Sequence, residues 1–125
     1  MGCNSFMGLT YATVRLSGNS GKSKEFNLLV DAGSVFTWID VDALRELGVE
    51  PKGEKKKFRT IEGREIFRNV GEASLELYDE RATSIIVFAE KGDASVLGVY
   101  SLEGLGFEVD PTTTRLKKLE AFAAY

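Results

Sequence analysis

Apolar residues in this chain come in short runs set between turn-rich segments, and strand-like runs do not alternate with helix-length ones. That pattern excludes a repeating strand-helix architecture and predicts a mainly β domain that closes on itself. Residues 9–16 carry Tyr11, Thr13 and Val14 and read as a strand. A loop rich in Ser and Gly follows. Residues 25–30 form the next strand, with Phe26, Leu28 and Val30 on one face, and it runs directly into Asp31-Ala32-Gly33-Ser34. Residues 35–39 are apolar and β-branched and predict a short buried strand. A short helix then needs a cap, which Asp40 or Asp42 can supply, with Leu44 and Leu47 inward and Gly48 as its stop.

The second half continues in the same way. Residues 52–57 are charged and read as a solvated edge. Residues 58–67 surround Ile61-Glu62-Gly63-Arg64, a hairpin tip. Residues 70–77 alternate, with Ala73, Leu75 and Leu77 on one face, and Gly71 among them signals a bulge or a close backbone approach. Residues 84–88 read as a strand buried on both faces. Val96-Leu97-Gly98 is an apolar pair ending in glycine, and residues 101–105 allow one or two helical turns with Leu102 and Leu105 inward. Asp110-Pro111-Thr112-Thr113 is a hairpin turn between residues 107–109 and 114–119. The result is eight or more short strands and one or two short helices.

Composition limits the chemistry. The 125 residues suit a single domain. With 16 basic and 19 acidic residues the net charge is -3, which does not favour a nucleic-acid partner. No apolar run approaches the ~20 residues of a membrane span. Histidine is absent, so Ser-His-Asp and Cys-His catalysis and His-based metal sites are excluded. Cys3 is the single cysteine, so no intrachain disulfide or zinc ribbon can form. Residues 1–6 read as a flexible extension without signal-peptide character, and the cysteine usage predicts a cytoplasmic protein. Carboxylates, lysines, hydroxyls and one thiol remain as reactive groups, with neither metal nor cofactor required.

The informative stretch runs from Leu28 to Ile39. An acid ends a hydrophobic strand, and glycine follows two residues later. A carboxylate beside apolar strands needs backbone N–H donors, which a turn through Gly33 can aim at Asp31. Ser34 can add a hydroxyl. Alone, this pattern also describes an Asp that merely caps a turn.

Together with the later segments it resembles the retropepsin-like aspartic proteases. The matching parts are Leu29-Val30-Asp31-Ala32-Gly33-Ser34, the hairpin around Ile61-Glu62-Gly63, and Val96-Leu97-Gly98 with its short helix. Residues 105–111 also look like the closing segment of the family's small prokaryotic and archaeal members. The resemblance covers residues 7–119. It implies an all-β, closed barrel-like fold with one or two short helices. It also implies an aspartic endopeptidase that hydrolyses a peptide or protein substrate as a homodimer, since the chain carries one such Asp. The two Asp31 carboxyls would share one proton. The ionised one would activate a water and the protonated one would polarise the scissile carbonyl. Gly33 and Ser34 would support the loop, Ile61, Glu62 and Gly63 would form a closing flap, and Val96, Leu97 and Gly98 would pack against the loop. Terminal residues 7–16 and 114–125 are where the family builds its interface sheet. Trp38 reads as core behind the loop.

Ala32 departs from the family pattern, which has Thr or Ser there. That hydroxyl reaches across the two-fold axis, and its loss weakens the dimer or the placement of the acids. The alternative is therefore a retropepsin-like peptide-binding or assembly module with weak or no proteolysis. A third reading is a small β-barrel interaction domain in which D-x-G-S is coincidental.

Overall fold

The computed structural model describes the backbone of residues 3–6 and, in full, residues 9–121. The sequence expectations for residues 1–2, for residues 7–8 and for the tail 122–125 fall outside that set. Strand β1 (Cys3–Phe6) pairs antiparallel with β2 (Leu9–Ser17), so the stretch read as a flexible extension includes a paired strand. In β2 the two-residue period of a strand turns Thr10, Ala12, Val14 and Leu16 into the core. β2 then pairs antiparallel with β3 (Ser23–Val30) from Tyr11 opposite Leu29 to Ser17 opposite Ser23.

The chain leaves β3 at Asp31 and enters β4 (Thr37–Asp40) six residues later. This strand is shorter than the sequence suggests. Val35 and Phe36 belong to the loop, and Val35 is 55% exposed. Helix α1 (Val41–Glu46) starts at Asp40, whose Oδ2 accepts the N–H groups of Asp42 and Ala43 at 3.1 Å each. Leu44 and Leu47 are buried, as their spacing requires.

A hairpin of β5 (Lys56–Arg59) and β6 (Glu65–Arg68) stands apart as a two-stranded sheet. Strand β7 (Val70–Leu77) buries Ala73, Leu75 and Leu77. Gly71 keeps regular register opposite Ile86. Its lack of a side chain lets the Glu50 carbonyl in, 2.6 Å from where a Cβ would stand. Strand β8 (Glu80–Ala89) is longer than residues 84–88. Its buried run is Ile86 to Ala89, while Ile85 is 40% exposed. The burial shifts because only the last four residues of β8 also pair with β4, in parallel.

Strand β9 (Val96–Leu97), helix α2 (Val99–Gly104), β10 (Phe107–Val109) and β11 (Leu116–Lys118) complete the described chain. Helix α2 begins two residues before the predicted turns, and Leu102 and Leu105 are buried. The main sheet has the order β1-β2-β3-β9-β4-β8-β7, and β7 also pairs with β2 from Arg15 to Ser17. The molecule is thus mainly β with two short helices. The inner sheet faces enclose Val14, Leu16, Leu28, Leu75, Ile86 and Phe88, and α1 and α2 add Leu44 and Leu102. Among the described residues no helix is long and apolar enough to cross a membrane.

The placement of β9 sets the position of Asp31. Consecutive strands β3 and β4 do not pair with each other. β9 lies between them, parallel to β3 (Leu29 opposite Val96) and antiparallel to β4 (Trp38 opposite Val96). The Asp31 loop must therefore span the end of β9.

Candidate active site

The loop from Asp31 is fixed by its own backbone first. The Asp31 N–H donates to Leu97 O at 3.0 Å, extending the β3–β9 ladder by one residue. The Ser34 N–H donates to Asp31 O at 3.0 Å and closes a turn. Within this turn the Gly33 N–H points back and donates to Asp31 Oδ1 at 2.9 Å. One carboxyl oxygen is thereby pinned, and the residue stays partly exposed. The Ser34 hydroxyl does not join it. Its Oγ donates to Phe36 O at 2.7 Å, because a serine hydroxyl in a turn reaches the carbonyl two residues on more readily than a side chain three residues back.

The loop is also held from behind. Gly98 is buried against it, and a Cβ on Gly98 would stand 2.4 Å from the Phe36 carbonyl carbon and oxygen. The Val99 and Tyr100 N–H groups donate to Ser34 O and Val35 O at 2.8 and 3.0 Å. The Gly98 N–H donates to the Thr37 hydroxyl at 2.9 Å. Thr37 Oγ1 shares a 2.5 Å hydrogen bond with Ser101 Oγ, which in turn bonds Ser84 Oγ at 2.6 Å. This chain of hydroxyls, buried at Thr37 and Ser101 and partly buried at Ser84, joins β4, α2 and β8. An apolar reading of residues 35–39 does not reveal it. Thr37 is the only signal, a polar side chain on the inward register of a short strand.

In front of the acid lies an open cleft of about 380 Å³, lined among others by Asp31, Gly33, Ser34, Trp38, Ile61 and Val96. The β5–β6 hairpin lines it through Arg59, Thr60, Ile61, Arg64 and Ile66. Its tip is a turn in which the Gly63 N–H donates to Thr60 O at 2.9 Å and Gly63 adopts φ +85°, a conformation that glycine reaches without strain. Ile61 is fully exposed on this tip. Glu62 is exposed and does not line the cleft. Its carboxyl is held below its ordinary range, first by its own backbone N–H and then by the Thr60 hydroxyl.

The predicted site residues therefore divide. Asp31, Gly33, Ser34, Ile61 and Val96 meet at one cleft. Leu97 and Gly98 are buried and act behind the loop. Ala32 is exposed and lines a separate apolar recess of about 190 Å³ with Val30, Val99, Leu102 and Phe107. Glu62 and Gly63 shape the tip without lining the cleft.

Trp38 corrects the sequence reading. Strand alternation buries Thr37 and Ile39, so Trp38 faces the other way and lines the cleft. It packs on Phe58 of β5 at 5.2 Å between ring centroids, and Phe58 also meets Phe36 at 6.2 Å, both edge to face. These rings couple the hairpin stem to the acid loop. Arg59, Arg64 and Asp93 also line the cleft, and no local sequence pattern singles them out. Asp93 is engaged by Arg68, with Nε donating to Oδ2 at 2.6 Å and Nη2 to Oδ1 at 3.0 Å.

Size does not single this cleft out, since other surface recesses reach about 350 and 420 Å³. Those include glutamates but no aromatic ring. Among the described residues no cluster of His, Cys, Asp or Glu is suited to a metal ion. No protein-family model matches the chain, and no curated protein matches it.

Proposed function

We propose that this chain is an aspartic endopeptidase of the retropepsin-like type, in which two copies each contribute one Asp31. The observation that carries the reading is the Asp31 turn. A carboxyl at the end of β3 accepts the Gly33 N–H at 2.9 Å while its backbone is tied to Leu97, under a glycine-tipped hairpin. Two further features support it. The return of β7 to β2 makes the ring β2-β3-β9-β4-β8-β7, which we read as a closed barrel. Gly98 packs closely on the acid loop at Val35 and Phe36, which supports the resemblance.

In the paired chains the two carboxyls approach too closely for both to ionise, so they share a proton. The ionised acid takes a proton from a water held between them, and the oxygen attacks the scissile carbonyl. The protonated acid donates to the carbonyl oxygen as charge develops there. The C–N bond of the tetrahedral diol then breaks as the first acid gives its proton to the departing amine, and one diol hydroxyl returns a proton to the second acid, which leaves a carboxyl product and the dyad with its shared proton. The hairpin lies over the substrate and limits the access of bulk water. Trp38, Ile66 and Val96 give the cleft an apolar wall suited to an extended peptide.

Ala32 supports a second reading, a peptide-binding module that cleaves poorly. The residue is exposed and offers no hydroxyl to a partner loop. One experiment separates the two. Wild-type protein is expected to cleave unfolded protein substrates at acidic pH and to be inhibited by a statine-type transition-state mimic, and Asp31→Asn is expected to remove cleavage while retaining peptide binding. Equal cleavage by wild type and Asp31→Asn would refute the mechanism. Binding without cleavage in wild type would favour the module.

A further inference from the structure

The net charge of -3 is distributed unevenly. Between residues 55 and 68 the hairpin carries Lys55, Lys56, Lys57, Arg59, Arg64 and Arg68 against Glu62 and Glu65. Local ion pairs do not cancel this excess, although Lys55 meets Glu90 at 3.4 Å. Glu65 is shared, 3.7 Å from Lys57 and 3.5 Å from Arg59. Arg68 is spent on Asp93. Glu62 is folded onto its own backbone and Thr60. Arg64 lines the cleft, is exposed, and makes no ion pair or side-chain hydrogen bond among the described residues. Its charge acts through space on Glu62 and Asp93, as the least of the influences on each carboxyl.

The cleft is therefore lined by an acid, Asp31, at the end of β3 and by two arginines, Arg59 and Arg64, from the hairpin. The one other acid lining it, Asp93, is already matched to Arg68. A ligand with a carboxylate beside an apolar group would satisfy both features of the cleft. Its apolar part would lie on Trp38, Ile66 and Val96, and its carboxylate would meet the fork of Arg64. We propose that the cleft selects extended peptide segments that carry Asp or Glu next to an apolar residue, with Arg64 as the specificity-determining residue and Arg59 assisting. This rests on the reading of the cleft as a peptide site. It adds the class of peptide.

Trp38 is the only tryptophan in the chain and lines the cleft, so its fluorescence reports occupancy directly. Three uncleavable peptides with the same apolar core, carrying Glu, Gln or Lys at the flanking position, are titrated at low salt near pH 6, where Glu is ionised. The Glu peptide is expected to bind about five- to tenfold more tightly than the Gln peptide, and the Lys peptide more weakly than either. Arg64→Glu is expected to reverse the order. Added salt is expected to narrow the gap, because both charges are near solvent. Arg64 sits on an exposed turn, so the exchange leaves the fold intact, which far-UV circular dichroism checks. Should that variant misfold, Arg64→Gln serves, with the expected loss of preference rather than its reversal. Equal affinity for the three peptides in wild type, or an unchanged preference in the Arg64 variants, overturns the inference. If charge-blind binding accompanies Asp31-dependent cleavage, the selectivity alone is wrong. If no peptide binds and none is cleaved, the peptide reading falls with it.

Discussion

Thr37 is fully buried, and its hydroxyl accepts the Gly98 N–H at 2.9 Å while bonding Ser101 at 2.5 Å. Valine has nearly the same shape but no hydroxyl. Thr37→Val leaves a buried N–H without a partner, at a cost of about 1–3 kcal/mol. Thr37→Ser keeps the hydroxyl and loses only a methyl group, so it is expected to cost about 1 kcal/mol. Urea unfolding of the two variants checks this order, and a Thr37→Val midpoint equal to wild type would show that the Gly98 N–H finds another acceptor. At this scale the sequence is informative where the chemistry is local. Asp31 before Gly33, and Gly63 at a tip, are legible because the turn itself demands them. Trp38 and Thr37 are not, because a run of apolar neighbours hides which register faces inward.

Arg68 of β6 and Asp93, in the turn after β8, tie the hairpin to the body of the molecule. Both side chains are 15% exposed. Asp93 also accepts the Glu90 N–H at 2.8 Å. The Arg68 hydrogen bonds hold the Asp93 carboxyl below its ordinary value of 3.8, outweighing the opposing effect of burial. Because the folded value lies below the unfolded one, the pair contributes its full stability above the ordinary value. That contribution is lost as pH falls through the lowered folded value. Asp93→Asn is expected to cost about 1–3 kcal/mol at neutral pH and to lose stability less steeply than wild type below about pH 4. Chemical denaturation across that range checks it, and parallel curves for the two proteins would show that the pair contributes nothing. Among the elements, α1 is legible, with its cap narrowed to Asp40 or Asp42, because a cap is a contact within four residues. The length of β8 is not, since Glu80 and Arg81 are polar and join the strand only by pairing with β7.

For the whole molecule the open quantity is the pairing of two chains. Under the proposed function, sedimentation at micromolar concentration is expected to show a dimer that a statine-type ligand strengthens. Under the same reading Ala32→Thr supplies a hydroxyl for the partner loop, giving two hydrogen bonds by symmetry. At about 0.5–1.5 kcal/mol each they would tighten association by about fivefold to somewhat over a hundredfold. A strictly monomeric wild type, unmoved by ligand and by Ala32→Thr, would count against the paired mechanism. The sequence by itself determined the mainly β character, the helix cap, the hairpin tip and the one acid-glycine turn, all of which depend on near neighbours or on two-residue alternation. Only the tertiary structure decided that β9 enters between β3 and β4, that Thr37, Ser101 and Ser84 bond behind the acid loop, and that Trp38, Arg59 and Arg64 share a cleft with Asp31. Those contacts join residues far apart in the chain. Their free energy comes from burial and hydrogen bonds that exist only once the sheet has assembled.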